Sequence, residues 1–270
     1  MGLLMGAPLF DNCLAQLASH FHRQLTSSKA EERQMERVHQ ATPSSSSSPP
    51  VKKKAKLQET PRSDWPASSK WSPEYIVKIA GYRTVPVEIG SKYTDTEWSQ
   101  KLMRIEEFVA KYFHRQNDKN PQQPAYLAQH QLFDQILELK KDIAIPDYCF
   151  LSQEADDDVD INAWFGPAHT VSPLHQDPRE NLLAQVFGSK YIRLYDVAHT
   201  DRLYPMDDGM MTNTSQVDLE APDYEKFPLL RDTPFQDCVL GPGEMLYIPR
   251  KWWHFVESLE DSFSVSFWFG

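Results

Sequence analysis

At 270 residues, with 40% apolar and 24% charged side chains and a net charge of −10, the chain has room for one large domain or two small ones. It holds no apolar run near the ~18–20 residues that span a bilayer, and Met1-Gly2-Leu3-Leu4 lacks the basic and apolar regions of a secretory signal. Gly6 stands where a myristoylation motif needs Ser or Thr, and three distant cysteines (Cys13, Cys149, Cys238) exclude a disulfide framework and point to a reducing compartment.

Residues 1–25 are expected to form one amphipathic helix, because Phe10, Leu14, Leu17, Phe21 and Leu25 recur at three- and four-residue steps. Residues 26–64 read as a disordered linker: Thr42-Pro43 leads into five serines and Pro49-Pro50. The basic run Val51-Lys52-Lys53-Lys54-Ala55-Lys56 follows and fits a nuclear localisation signal, with a second reading as solubilising charge. The expected location is therefore the nucleus, with the cytoplasm as a further possibility. Residues 1–64 hold nine Lys/Arg against six Asp/Glu, so the remainder carries a balance of −13. Such a surface repels a phosphate backbone and attracts a Lys/Arg-rich peptide, or simply keeps the protein in solution.

Residues 65–270 read as one domain. A short helix is expected over 72–80, with Ser72 as N-cap and Pro73 in its first turn. A strand follows over 83–89. The spacing of Trp98, Leu102, Ile105, Phe108, Val109 and Tyr112 predicts a helix over 95–112, and 114–124 a polar loop. Short strands are then expected at 125–129, 160–165, 182–187, 190–195, 236–240, 244–248 and 262–268, separated by Gly, Pro and acidic turns. This pattern fits a jelly-roll double sheet rather than βαβ units.

The segment Ser172-Pro173-Leu174-His175-Gln176-Asp177-Pro178 carries the strongest chemical signal. Residues two apart in extended chain project to one side, so His175 and Asp177 can reach one ion. A second histidine would complete a facial triad that leaves coordination positions open on Fe(II). His254 is the candidate; it follows a Gly-Pro-Gly turn, a short strand ending at Pro249, and Trp252-Trp253. Lys190 stands fifteen residues after His175, at the head of a strand. Buried there, its ammonium would need an anion; at the turn, it would simply meet water. Asn181, Ser172 and Tyr126 could add hydrogen bonds to the same anion.

These residues, with Ala80-Gly81-Tyr82-Arg83-Thr84-Val85-Pro86-Val87-Glu88, Tyr126-Leu127-Ala128-Gln129-His130, Asn162-Ala163-Trp164-Phe165-Gly166-Pro167 and Phe263-Ser264-Val265-Ser266-Phe267-Trp268, resemble the JmjC family of Fe(II)- and 2-oxoglutarate-dependent oxygenases. The resemblance implies a mainly β, cupin-like double-stranded β-helix with flanking helices. It implies iron on His175, Asp177 and His254, and 2-oxoglutarate held by Lys190, Tyr126, Ser172 and Asn181 between the walls Trp164 and Trp268. It places Glu88 and Trp98 in a pocket for a substrate arginine. The implied activity is C-3 hydroxylation of arginine in protein substrates, histones and ribosomal or chromatin proteins among them, with a role in transcription and the cell cycle. Neither nucleic acid nor membrane is implied as a direct partner. Lysine demethylation, histone-tail cleavage and a binding role without turnover stay open, although the chain contains neither Gly-x-Ser-x-Gly nor His-Glu-x-x-His. One departure is visible. The family's domain opens with a strand ending in Pro-Val-x-x-x-Gly, whereas here Trp65-Pro66-Ala67 follows the Ser/Pro/Lys-rich stretch. A shortened or alternatively spliced form with an unpaired sheet edge is the expectation.

Overall fold

Two short helices, α1 (Pro66–Lys70) and α2 (Pro73–Ala80), lead into eleven strands in the computed structural model, which describes residues 65–270 except 91, 95–96, 114–122, 151–157, 208 and 210. The expected helix over 9–25, the linker 26–64 with its basic run, and most of the loop 114–124 lie outside the described residues. No helix among the described residues is long and apolar enough to cross a membrane.

Helix α2 starts as its sequence dictates: the Ser72 hydroxyl accepts the Tyr75 N–H, and Pro73 supplies a preset φ where no donor is needed. Strand β1 (Thr84–Ile89) follows. The helix expected over 95–112 is corrected: its first half is strand β2 (Ser99–Arg104), paired along its whole length with β1, and only Ile105–Tyr112 is helical (α3). Leu102, assigned to an apolar helix face, is 76% exposed. Tertiary pairing with β1 overrides a helical periodicity that was weak in this polar stretch. The Arg104 N–H donates to the Glu107 carboxylate and starts α3 at that point.

The remaining strands are β3 (Ala125–His130), β4 (Asp160–Gly166), β5 (Val171–Gln176), β6 (Glu180–Phe187), β7 (Lys190–Tyr195), β8 (Gln236–Leu240), β9 (Met245–Ile248), β10 (Trp253–Ser258) and β11 (Ser262–Phe269). Short helices α4 (Leu132–Gln135) and α5 (Leu137–Lys140) follow β3. Seven strands form one antiparallel sheet in the order β2-β1-β3-β4-β11-β6-β9, and four form a second, β5-β10-β7-β8. From β4 to β11 the chain passes back and forth between the sheets, with only β7 and β8 consecutive in one of them, which makes the double-stranded β-helix. Gly188, with φ +68, turns it from β6 to β7; a Cβ there would lie 2.2 Å from the Asp261 carbonyl oxygen.

Three apolar clusters follow from the period-2 alternation of side chains. Phe263, Val265 and Phe267 of β11 point outward from the large sheet and meet Trp65, Trp71, Phe133 and Phe165. The buried Asp142 carboxylate, just past α5, accepts from Lys70 (2.7 Å), Trp71 Nε1 (3.1 Å) and the Tyr75 hydroxyl (3.2 Å), and so ties α1 and α2 to this layer. Outside the small sheet, Trp253 and Phe255 of β10 pack with Leu203, Val217, Phe227 and Leu230 of the 196–235 insert between β7 and β8. Between the sheets lie Leu183, Ile192, Leu194, Leu240, Leu246, Ile248 and Val256. The polar site sits within this inner layer.

Candidate active site

The inner face of the small sheet sets the metal-binding group. Strands β5 and β10 run antiparallel with His175 directly opposite His254, so both imidazoles leave the same face. Asp177, two residues past His175, joins them. Its Oδ1 lies 3.8 Å from His175 Nε2 and its Oδ2 3.4 Å from His254 Nε2. The three ligand atoms all lie within 4.8 Å of one another. Bonds of about 2 Å from one ion bridge the two spacings to Asp177.

The second ring nitrogens settle the tautomers. His175 Nδ1 is 2.7 Å from the Pro173 carbonyl and His254 Nδ1 is 3.0 Å from the Trp252 carbonyl. An Nδ1–H donated to each carbonyl leaves both Nε2 lone pairs for a metal. Burial, then the neighbouring His254, lowers the His175 pKa to about 4, which favours the neutral ligand. Burial works against the His254 cation and against the Asp177 anion alike. Their mutual hydrogen bond and charge outweigh it, raising His254 and lowering Asp177. A backbone bond fixes the main chain that carries Asp177: the Lys251 N–H, in a residue with φ +64, donates to the Asp177 main-chain carbonyl at 2.8 Å.

A bulge in β5 widens the group. His254 pairs with His175, yet Val256 pairs with Ser172, so three steps on β5 match two on β10. The extra residue turns both Ser172 and His175 inward, while Val171 and Leu174 face the insert. They share a cavity of about 350 Å³, open mouth included, with Tyr126, Trp164, Asp177, Asn181, Lys190 and His254.

Lys190 settles the question left open by its turn: it is 1% exposed and shares the inward face of β7 with Ile192 and Leu194. Its Nζ donates to the Tyr126 hydroxyl at 2.8 Å. Burial brings its pKa down to about 7 and pushes the Tyr126 phenol up. Trp164 walls the cavity, with its indole N–H on the Ser266 hydroxyl at 2.8 Å. Asn181 Oδ1 and Trp268 Nε1 belong to opposed residues of β6 and β11 and are buried without a partner among the described residues. Trp268 does not line the cavity itself.

The substrate-side expectation, Glu88 and Trp98, also meets at one place. Glu88 pairs with Tyr126 across β1 and β3, and the Trp98 indole N–H reaches its carboxylate at 3.3 Å. Burial raises the Glu88 pKa, while the Trp98 hydrogen bond partly opposes it. Gly90, with φ +128, is needed here, since a Cβ would stand 3.2 Å from the Trp98 Cα. The sequence reading missed Tyr93 and Thr214, whose hydroxyls are 3.1 Å apart. Thr214 bridges to His175 in backbone pairing, and the charges of Asp177 and Glu88 both act on the buried Tyr93 phenol. An aromatic in the polar Gly90-Ser91-Lys92-Tyr93-Thr94-Asp95 stretch was the available signal.

A His₂-carboxylate group beside a buried ammonium suits an oxygen-activating metal with an anionic chelator, and the residues present fit both. The orphaned Asn181 Oδ1, a buried acceptor that costs about 1–3 kcal/mol unpaired, further marks the cavity as built to meet a polar ligand.

A family model for the cupin-like domain matches residues 57–270. Lysine-specific demethylase 8 of Xenopus tropicalis is 59% identical over 205 residues, covering 76% of this chain and 45% of the relative. Lysine-specific demethylase 8 of Danio rerio is 55% identical, covering 76% and 50%. Jumonji C domain-containing protein 5 of Drosophila melanogaster is 52% identical, covering 76% and 51%. The chain thus spans about half the length of the curated relatives it matches.

Proposed function

The chain belongs to the cupin-like JmjC family of Fe(II)- and 2-oxoglutarate-dependent oxygenases, and from this premise we propose that it hydroxylates arginine side chains of protein substrates at C-3. His175, Asp177 and His254 would hold the iron. Lys190 and the Tyr126 hydroxyl would hold the distal carboxylate of 2-oxoglutarate, with Ser172 and Asn181 adding hydrogen bonds and Trp164 forming a wall. When bound, the iron and the diacid supply the oxidising power of O₂, releasing succinate and CO₂.

The chain's own residues do the rest. The ladder between β5 and β10 holds the ligand nitrogens before any metal arrives, so little reorganisation remains at loading. Lys190 carries the proton that lets its nitrogen grip a carboxylate. The inner-layer aliphatics keep bulk water from the reacting carbon. Glu88 would accept the substrate guanidinium, with Trp98 and Tyr93 beside it as aromatic faces. Trp268, which pairs with Asn181 across β11 and β6, would support that amide from outside the cavity.

The Glu88 carboxylate carries the arginine reading: it is half-buried, raised in pKa, and pairs across the strands with Tyr126, which lines the cavity. A guanidinium supplies the charge and the N–H donors such a group needs. The −13 balance of residues 65–270 supports basic protein substrates such as histones, and Lys52–Lys56 supports a nuclear setting. The names of the relatives, lysine-specific demethylases, favour a second reading, lysine demethylation, which uses the same oxidant on an N-methyl carbon.

Incubation with Fe(II), 2-oxoglutarate and paired peptides separates the two. The expected product is an arginine peptide that has gained one oxygen atom, with methyl-lysine peptides unchanged. Loss of a methyl group from lysine, with no oxygen gained on arginine, would favour the demethylase. Glu88→Ala should lower kcat/KM on the arginine peptide by about 100-fold while leaving cosubstrate binding intact. An unchanged value would remove Glu88 from the pocket.

A further inference from the structure

Tyr93, between β1 and β2, meets Thr214, the residue bridged to His175, and a single cation beside it ties this stretch down. Lys92 Nζ lies 2.6 Å from Asp218 Oδ1 and 2.5 Å from Glu220 Oε2. The Lys92 side chain is only 11% exposed, whereas its two partners are 49% and 40% exposed. Asp218 also accepts the Glu220 N–H at 2.9 Å, which holds both carboxylates in place before the ammonium docks.

Those carboxylates belong to the 196–235 insert, and the insert is fixed to the metal-bearing strand. The Gln176 N–H donates to the Asn213 carbonyl at 2.9 Å, and the Ser215 N–H to the Leu174 carbonyl at 2.8 Å. Residues 213–215 therefore run beside β5 at the level of His175. Next to the clamp, Tyr93 meets Thr214 of the same stretch. The loop's other anchor is at its root, where the Gly90 N–H donates to the Pro124 carbonyl at 3.0 Å. Between that root and Trp98, the contacts across to the insert are the Lys92 ion pairs and the Tyr93 hydroxyl, among the described residues.

We infer that Lys92 is a positioning residue: its clamp on Asp218 and Glu220 holds Tyr93 against Thr214, beside the His175 strand, and so sets the affinity for the substrate side chain. The inference rests on the oxygenase reading above, but it concerns a residue that touches neither metal, cosubstrate nor substrate. Without the clamp, Tyr93 would depend on one hydroxyl–hydroxyl bond, and the aromatic wall of the pocket would spend part of its time away from Glu88. Substrate binding would weaken, while the ligand group on β5 and β10 and the Lys190 grip would not change.

The test compares wild type with Lys92→Ala, Lys92→Arg, and a charge-swapped protein carrying Lys92→Glu with Asp218→Lys and Glu220→Lys. Amide exchange is read with metal and 2-oxoglutarate present. Lys92→Ala should speed exchange at 92–94 and 213–216 and leave β4, β6 and β11 unchanged. It should raise both KM and the calorimetric Kd for an arginine peptide about tenfold, with kcat and the cosubstrate KM within about twofold. Lys92→Arg and the swapped protein should recover most of the affinity. Unchanged exchange and peptide affinity would overturn the inference. So would a loss of kcat, both KM values and melting temperature together, with no rescue by Lys92→Arg, since that pattern marks a merely structural residue. Exchange and peptide binding need no turnover. A wild-type protein that binds but never oxidises the peptide would count against the oxygenase reading while the clamp is still judged.

Discussion

Lys190 is the residue whose surroundings most depart from its sequence context. Beside Gly188-Ser189 it reads equally well as a solvated turn lysine; only the inward face of β7 shows it buried against Tyr126. Its pKa of about 7, against an ordinary 10.5, has two consequences of opposite sign. Between those values the unfolded chain binds the extra proton, so the ligand-free protein gains stability as pH rises through that window. Cosubstrate binding instead calls the proton back. At pH 8 the binding of 2-oxoglutarate to the metal-loaded protein should take up a fraction of a proton, and affinity should fall as pH rises further. Calorimetry in two buffers of unlike ionisation enthalpy reads this directly; equal heats in both buffers would contradict it. The His175 and Asp177 pair, by contrast, was legible, because His-x-Asp in extended chain needs no tertiary knowledge. The bulge that turns Ser172 to the same side as His175 was not, since it arises from pairing with β10.

At the level of elements, strands bounded by Gly and Pro were legible almost to the residue, as at β4, β7 and β8. The stretch 95–112 was not. A helical spacing that includes Trp98 and Leu102 is available in the sequence, but β1 offers backbone partners from Thr84 to Ile89 that a helix would leave unmatched. The strand β10 also escaped notice, although it carries His254, because the tandem tryptophans obscure the alternation: Trp252 sits in the turn and Trp253 faces the insert. The helices before β1 depend on Asp142. Lys70, Trp71 and Tyr75 outweigh the burial that would raise its pKa and hold the carboxyl below its ordinary range. Asp142→Ala would leave the Trp71 N–H buried without its acceptor and should cost about 3 kcal/mol in urea unfolding. Asp142→Asn should cost less. Its deficit relative to wild type should shrink as pH falls below about 4, where the unfolded wild-type chain takes up a proton that the native Asp142 carboxylate still resists. A deficit constant from pH 7 to 3 would show that charge plays no part in this tie.

For the molecule as a whole, the site is assembled between two sheets rather than on one. The triad comes from the small sheet and the loop beyond it, the ammonium from β7, and the amide, indole and phenol walls from β6, β4 and β3 of the large one. A ligand that spans the gap should therefore stabilise the entire fold. Metal together with an unreactive 2-oxoglutarate analogue, at about 100 times its Kd, should contribute about 2.7 kcal/mol. That corresponds to a melting shift of roughly 5–10 °C for a domain of this size. No shift would mean that the cavity does not close on the diacid. The pairing of Lys190 with the Tyr126 hydroxyl carries one more consequence for the proposed diacid site. A lone ammonium paired with one phenol reads charge and distance at the far end of its guest, and nothing else. Succinate, fumarate and related metabolites present the same terminal group, so this end of the cavity cannot tell them apart. If Lys190 holds the diacid in this way, selection among such acids must occur at the oxo-acid end, and diacids lacking the oxo group would compete for the ammonium.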